Sequence, residues 1–291
     1  KESLAAPLPL YYRNKIVLHA GLNEKQLRLG YKAKDNSTVI DIESCPLANT
    51  AINGLLAEFR KKHIKLLKNN DRVTFRQTAN DGTLFWINSF GKKEPWLKEK
   101  TVCGDFYVPQ GSFFQVNPQA TDVLILKVIE LLKQISPAYV IDLYCGCGLF
   151  SIVAAKAIQC RATGVDSDTK AIKAAKYNAQ VHGVDKQCGF LANSAENMLK
   201  EIKNKIPVKE SVLIVDPPRT GLSKGIRKEI AATQFGWIIY VSCSPDTMTR
   251  DLTALCETGY ELKSAEVVDM FARTSHFESI VCLNHISKIR A

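Results

Sequence analysis

From Tyr139 onward, short apolar runs recur between stretches of helical character: Val140 to Leu143, Ala162 to Val165, Val212 to Val215 and Trp237 to Val241. Four or five apolar residues with no polar alternation read as a strand covered on both faces. Strands of that kind, separated by helices, argue for a doubly wound, mostly parallel α/β sheet. Ligands in such sheets sit at the carboxyl ends of the strands, so the residues that follow each run are the ones to inspect.

Residues 1–110 read differently, as a smaller α+β region ahead of a larger unit at 111–291. Alternation in Arg72-Val73-Thr74-Phe75-Arg76 and Thr83-Leu84-Phe85-Trp86-Ile87 predicts two strands, and Asn80-Asp81-Gly82 between them is a hairpin signal. Leu55, Leu56 and Phe59 form an apolar stripe that predicts a helix from Leu47 to about Leu67. A second helix is expected after Asn117-Pro118, an N-cap residue followed by a first-turn proline, with Leu124, Val128, Leu131 and Leu132 on its apolar face.

The chain has 39 Lys+Arg against 29 Asp+Glu, a formal charge of +10 that favours an anionic partner such as nucleic acid. Basic residues gather at Arg60-Lys61-Lys62-His63-Ile64-Lys65 and from Lys92-Lys93 to Lys100, as either a solvated face or an RNA-contacting surface. No apolar run approaches the roughly 20 residues of a membrane helix. Nine cysteines scattered through apolar segments predict free thiols in a reducing cytoplasm rather than a disulfide framework.

Asp142-Leu143-Tyr144-Cys145-Gly146-Cys147-Gly148 follows the first strand and opens a helix, so its glycines let a ligand approach the backbone. A dinucleotide fingerprint would want a third glycine where this chain has Ser151; with Asp142 at the strand end, the turn favours S-adenosyl-L-methionine (SAM) over NAD. Asp166 ends the second strand, placed either to accept hydrogen bonds from two ribose hydroxyls or to cap the helix starting near Thr169.

Cys243 closes the run Trp237 to Ser242, and Glu278 opens Ile280-Val281-Cys282-Leu283. A lone thiol from one strand end and a carboxylate from another can add to an electron-poor ring and later remove a proton from it. Methylation of uracil at C5 needs both acts: thiolate addition at C6 makes C5 nucleophilic, and a base must then take the C5 hydrogen so that the thiolate can leave. Ser244-Pro245-Asp246 reads as an N-cap, a first-turn proline and an acidic first turn, which would set Cys243 against a helix N-terminus and favour its thiolate. Asp216-Pro217-Pro218-Arg219 follows the third strand, where a carboxylate can hold a uracil edge or a cofactor.

Four ordered motifs, Ser112 to Pro118, Asp142 to Gly148, Asp216 to Gly221 and Tyr240 to Cys243, followed by His276-Phe277-Glu278, resemble the RNA 5-methyluridine methyltransferase family. The resemblance implies a SAM-dependent RNA enzyme with Cys243 as nucleophile and Glu278 as proton acceptor. It also implies that Gln115, Tyr144, Gly146, Asp166, Ser194 and Asp216 contact SAM or shape its pocket, and that an RNA-binding region precedes the methyltransferase unit, acting on ribosomal or transfer RNA. Leu149, Ser244 and Phe271-Ala272-Arg273-Thr274 depart from the family's usual residues. Many members carry a four-cysteine iron–sulfur site and a β-barrel; here Cys45 alone stands where the fourth cluster ligand would be. Either the cluster was lost and Cys45 is core, which is favoured and leaves no metal expected, or the earlier ligands lie in a segment outside this sequence. The competing readings are an RNA cytosine-C5 methyltransferase, a SAM- and RNA-binding protein without turnover, and an NAD-dependent oxidoreductase.

Overall fold

A computed structural model describes residues 3–23, 26–89, 95–202 and 205–286. The chain first builds a five-stranded antiparallel sheet from β1 (Lys15–Asn23), β2 (Gln26–Lys32), β3 (Val39–Asp41), β4 (Arg72–Gln77) and β5 (Thr83–Ile87), in the order β3-β2-β1-β4-β5. Strand alternation sends Ile16, Leu18 and Ala20 of β1 and Val73 and Phe75 of β4 to one face, where they meet Ile52, Leu56 and Phe59 of α1 (Thr50–Lys62) in a dry core. The opposite face carries Lys15, His19 and Arg72. The Asn80-Asp81-Gly82 turn joins β4 to β5 as expected, with Gly82 at φ +69°.

Helix α1 is shorter than its apolar stripe predicts. Its start is fixed by the side chain of Asn49, which accepts the Ile52 N–H, and after Lys62 the chain tightens into a 3₁₀ turn at Ile64–Leu66. Part of the basic cluster on it is neutralised: Arg60 forks onto Asp41, and Lys62 pairs with Glu58. Lys92 and Lys93 lie outside the described residues. Cys45 is buried in this core, its sulfur accepting the Tyr31 hydroxyl at 3.3 Å.

A separate hairpin, β6 (Trp96–Thr101) and β7 (Gly104–Pro109), leads to α2 (Pro118–Ile135), whose Asn117 cap and Pro118 start match the sequence expectation. A buried ion pair ties the hairpin to the first sheet. Arg76 of β4 donates to Glu99 of β6 at 2.7 and 3.0 Å, and Asn14 donates to the other carboxylate oxygen at 2.9 Å.

Then the α/β unit begins: β8 (Tyr139–Leu143), α3 (Leu149–Ile158), β9 (Arg161–Asp166), α4 (Thr169–Val181), β10 (Cys188–Ala192), α5 (Ala195–Ile202), β11 (Ser211–Val215), α6 (Lys224–Thr233), β12 (Trp237–Ser242), α7 (Pro245–Cys256), β13 (Tyr260–Val268) and β14 (Glu278–His285). Its seven strands run β10-β9-β8-β11-β12-β14-β13, the first five parallel and β14 antiparallel to both neighbours. This is the doubly wound, Rossmann-like sheet that the apolar runs predict. The four expected strands are present; β10 and β13, which sequence pattern did not reveal, are its two edges. Crossovers proceed outward from β8 on one side and from β11 on the other, so the switch point, and the crevice it opens, lies between the carboxyl ends of β8 and β11. Among the described residues no helix is long and apolar enough to cross a membrane, and all nine cysteines are free thiols.

Candidate active site

Because β14 runs antiparallel to β12, its first residue comes to the sheet edge where β12 ends. The β12–β14 ladder ends at the pair Ser242↔Ser279, so Cys243, just past the end of β12, and Glu278, the first residue of β14, follow it at the same end of the two strands. A cleft of about 540 Å³ opens there, lined by both residues together with Gln115, Tyr144, Gly146, Asp166, Asp216, Arg219 and the rings of Phe113 and Phe271. Seven of the eight sequence-derived site residues therefore share one cavity.

The glycine turn divides its labour. Gly146, at φ +52°, faces open space where its Cβ would be, so it is the glycine that leaves room against the cleft. Gly148, at φ +86°, is required by packing: a Cβ there would meet the Phe190 ring at 2.9 Å. Ser151 is no defect. It donates its N–H and its hydroxyl to Asp142 at 2.9 and 2.7 Å, holding that carboxylate beneath the turn instead of in the cleft. Full burial pushes Asp142 up to about 7 despite those two bonds.

Asp166 accepts the Gly146 N–H at 2.9 Å and the Asp168 N–H at 2.8 Å, which aims it along the cleft floor. The helix-capping role falls to Asp168, which accepts the Lys170 N–H. Ser194 lies in an adjoining cavity of about 410 Å³ that shares Tyr144 and Asp166 with the first. Its hydroxyl accepts the Asn197 N–H and so caps α5.

One electrostatic expectation is corrected. The thiol of Cys243 is raised, not lowered, by burial first and then by the carboxylates of Glu278 and Asp216; the guanidinium of Arg219 acts in the opposite direction. Ser244 occupies the N-cap position of α7 but its side chain makes no capping bond. The Ser242 hydroxyl accepts the Ser244 N–H instead, at 3.0 Å. Glu278 is raised by burial and then by Asp216, again opposed by Arg219, and Asp216 is raised by burial and then by Asp142. Burial and the neighbouring carboxylates thus oppose ionisation of both groups, and Arg219 is the nearby charge that favours their ionised forms.

The sequence model of the tRNA (uracil-5-)-methyltransferase family matches residues 97–286. The chain belongs to that family. An RNA methyltransferase of Listeria innocua, itself uncharacterised, is 37% identical over 97% of this chain and 73% of its own length. The 23S rRNA (uracil(1939)-C(5))-methyltransferase of Neisseria lactamica is 28% identical over 94% of this chain and 71% of its own. Among solved structures, the Pyrococcus abyssi tRNA (uracil-54, C5)-methyltransferase in complex with S-adenosyl-L-homocysteine superposes with a TM-score of 0.75 and 26% identity, covering 97% of this chain and 78% of that one.

The methyltransferase's cofactor is SAM, and the cleft suits it. Asp216 accepts no hydrogen bond from a described side chain and Asp166 is met only by backbone N–H groups, so both carboxylates are open to a cationic or hydroxyl-bearing ligand beside the bare Gly146 backbone. Asp166 would take the ribose hydroxyls, and Asp216 and Gln115 the polar groups nearer the reacting end.

What no sequence pattern revealed is Asp251, an acidic residue in mid-helix that reads as a solvated position. In the methyltransferase it is fully buried. It accepts from Leu222 N, Tyr240 Oη, Arg227 and Arg250, at 2.6 to 3.0 Å. Thr247 adds a bond to the Arg219 carbonyl at 3.0 Å. Together they tie the Asp216–Leu222 loop to the helix that follows Cys243. Asp251→Ala is expected to destabilise the fold by about 2–3 kcal/mol, the lower end for a broken buried pair because both arginines keep contact with water. Chemical denaturation would measure it. Arg219→Ala, by removing the cation that favours the thiolate, is expected to slow iodoacetamide labelling of Cys243 at pH 8 at least about twofold, read by peptide mass spectrometry; equal rates would show that the guanidinium does not act on the sulfur.

Proposed function

We propose that this methyltransferase modifies uracil C5 in structured RNA through a covalent bond between Cys243 and uracil C6, with Glu278 as the base that completes the reaction. The observation that supports the reading is that the thiol and the carboxylate, at the adjoining ends of the paired strands β12 and β14, line one cleft.

The steps follow from the chemistry of those groups. Cys243 gives its proton to solvent, with Arg219 favouring the thiolate, and its sulfur adds to C6 of a uracil turned out of the RNA stack into the cleft. Addition shifts electron density to C5. SAM, when bound, supplies the electrophilic methyl group. Glu278 then removes the C5 proton, the C5–C6 double bond re-forms and the sulfur departs as thiolate. A carboxylate whose proton affinity is raised by burial is a stronger base than a solvated one, which suits it to a carbon-bound proton. Because the thiol is raised, kcat/KM is expected to climb as pH rises through the mildly alkaline range.

RNA carrying 5-fluorouridine provides the test. Fluorine at C5 cannot leave as a cation, so turnover should halt with the RNA bonded to protein, and mass spectrometry should place the bond on the peptide holding Cys243. A complex that forms no such adduct with SAM present would overturn the mechanism. Relatives act on ribosomal and on transfer RNA; we favour ribosomal RNA, and methylation of each class in vitro by the purified enzyme decides between them.

A further inference from the structure

The face of the first sheet turned away from α1 holds a cavity of about 430 Å³, remote from the catalytic cleft in its lining residues. His19 of β1, Lys32 of β2 and Arg72 of β4 project into it, joined by Ser37, Thr38 and Asn70. Among the described residues no carboxylate lines it. Two neighbouring acids are taken up by their own turns: Asp35 accepts from Ser37 N, Thr38 N and the Thr38 hydroxyl, and Asp71 accepts from Lys68 N and Asn88. Neither Lys32 nor Arg72 forms an ion pair among the described residues, and both are exposed. Two unpaired cations, an imidazole, the Ser37 hydroxyl and the Asn70 amide around a concave polar space match the needs of a phosphate group, which takes several N–H and O–H donors at once and offers charge in return.

Its position says which phosphate. Strand β1 starts next to the catalytic cleft, where Asn14 donates to the carbonyl of the cleft residue Val116 at 2.9 Å. From Asn14 to His19 is about 17 Å at roughly 3.3–3.4 Å per strand residue. Along that path lies Lys15, which shares its face with His19 and is likewise without an ion pair. Its ammonium is pushed down to about 8 by burial and by Arg76 and Arg72. Cations therefore continue from the cleft rim to the cavity.

We infer that the His19–Lys32–Arg72 cavity binds a backbone phosphate of the substrate RNA, a few nucleotides from the uridine in the catalytic cleft. The inference rests on the RNA-methylation reading, but its test separates the two. Lys32→Gln/Arg72→Gln removes both cations from the one phosphate, so the slope of log Kd against log salt should flatten by about 0.7, the value for one neutralised phosphate on single-stranded RNA, with Kd rising roughly tenfold or more. SAM affinity should be unchanged, which also reports folding. A control, Lys133→Gln/Lys228→Gln, deletes the same charge from α2 and α6. In parallel, inorganic phosphate is titrated while the His19 ring resonance is followed by NMR; saturating it with RNA should exclude phosphate from the cavity.

An unchanged RNA affinity and slope in Lys32→Gln/Arg72→Gln would overturn the inference, as would an equal loss in the control, which would mean net charge alone. Phosphate binding at His19 that RNA does not compete with would also overturn it, in favour of a free phosphate or nucleotide ligand. Failure of the methylation reading shows separately, as absence of methyl transfer by the wild-type enzyme to the same RNA.

Discussion

Cys243→Ala is expected to lower RNA methylation by on the order of ten-thousand-fold, close to complete loss, while SAM binding and folding persist. The size follows from the reaction: without sulfur at C6, C5 of uracil is part of a conjugated ring with little nucleophilic character, and nothing else in the cleft can make it one. Cys243 packs at the cleft wall rather than in a core, so the alanine variant should keep its melting temperature within a few degrees. Radiolabelled methyl transfer under single-turnover conditions measures the loss. Retention of even a tenth of the wild-type rate would remove the thiol from the mechanism.

Glu278→Gln is expected to slow turnover by about 10²–10⁴-fold, the range associated with one positioned base. Its diagnostic is qualitative. The first steps need only the thiol, so ordinary uridine RNA should now accumulate bonded to the protein, stalled with both methyl group and hydrogen on C5. Gel shift under denaturing conditions would show it. A slow Glu278→Gln enzyme with no trapped RNA would place the carboxylate's role before bond formation, and another base would then be required. Combining the two variants should cost little more than Cys243→Ala alone, since the second step never arises without the first.

The parts of the fold legible in the sequence are those buried on both sides. β8, β9, β11 and β12 are flanked by strands and covered by helices, so their composition carries little polar interruption. β10 and β13 close the sheet at its edges; β13 is interrupted by Glu261, Lys263 and Glu266, leaves Leu262 exposed and lacks a continuous apolar run. In the first sheet β4 and β5 were legible from their alternation and the turn between them, whereas β1 and β2, with glycines at Gly21 and Gly30, give a weaker pattern. At the site, residues that carry chemistry in a motif could be read directly. Asp251 could not, since an aspartate on a helix looks the same whether it faces water or gathers two arginines, a tyrosine and a backbone amide. The thiol's electrostatics were misread for a related reason: sequence shows the helix that follows Cys243 but not the burial of the sulfur, nor Glu278 and Asp216, which arrive from other strands and raise it further.

The antiparallel course of β14 also bears on what this scaffold tolerates. Thiol and carboxylate are 35 positions apart along the chain, yet their separation in space is a property of one hydrogen-bonded ladder. The connection between them, through α7, β13 and the turn after it, can grow or shrink without altering the reach from sulfur to carboxyl. A slip of a single residue between β12 and β14, by contrast, would turn the carboxyl to the far side of the sheet. The ladder thus acts as a ruler for the chemistry, leaving the outer segments free to diversify toward different RNAs.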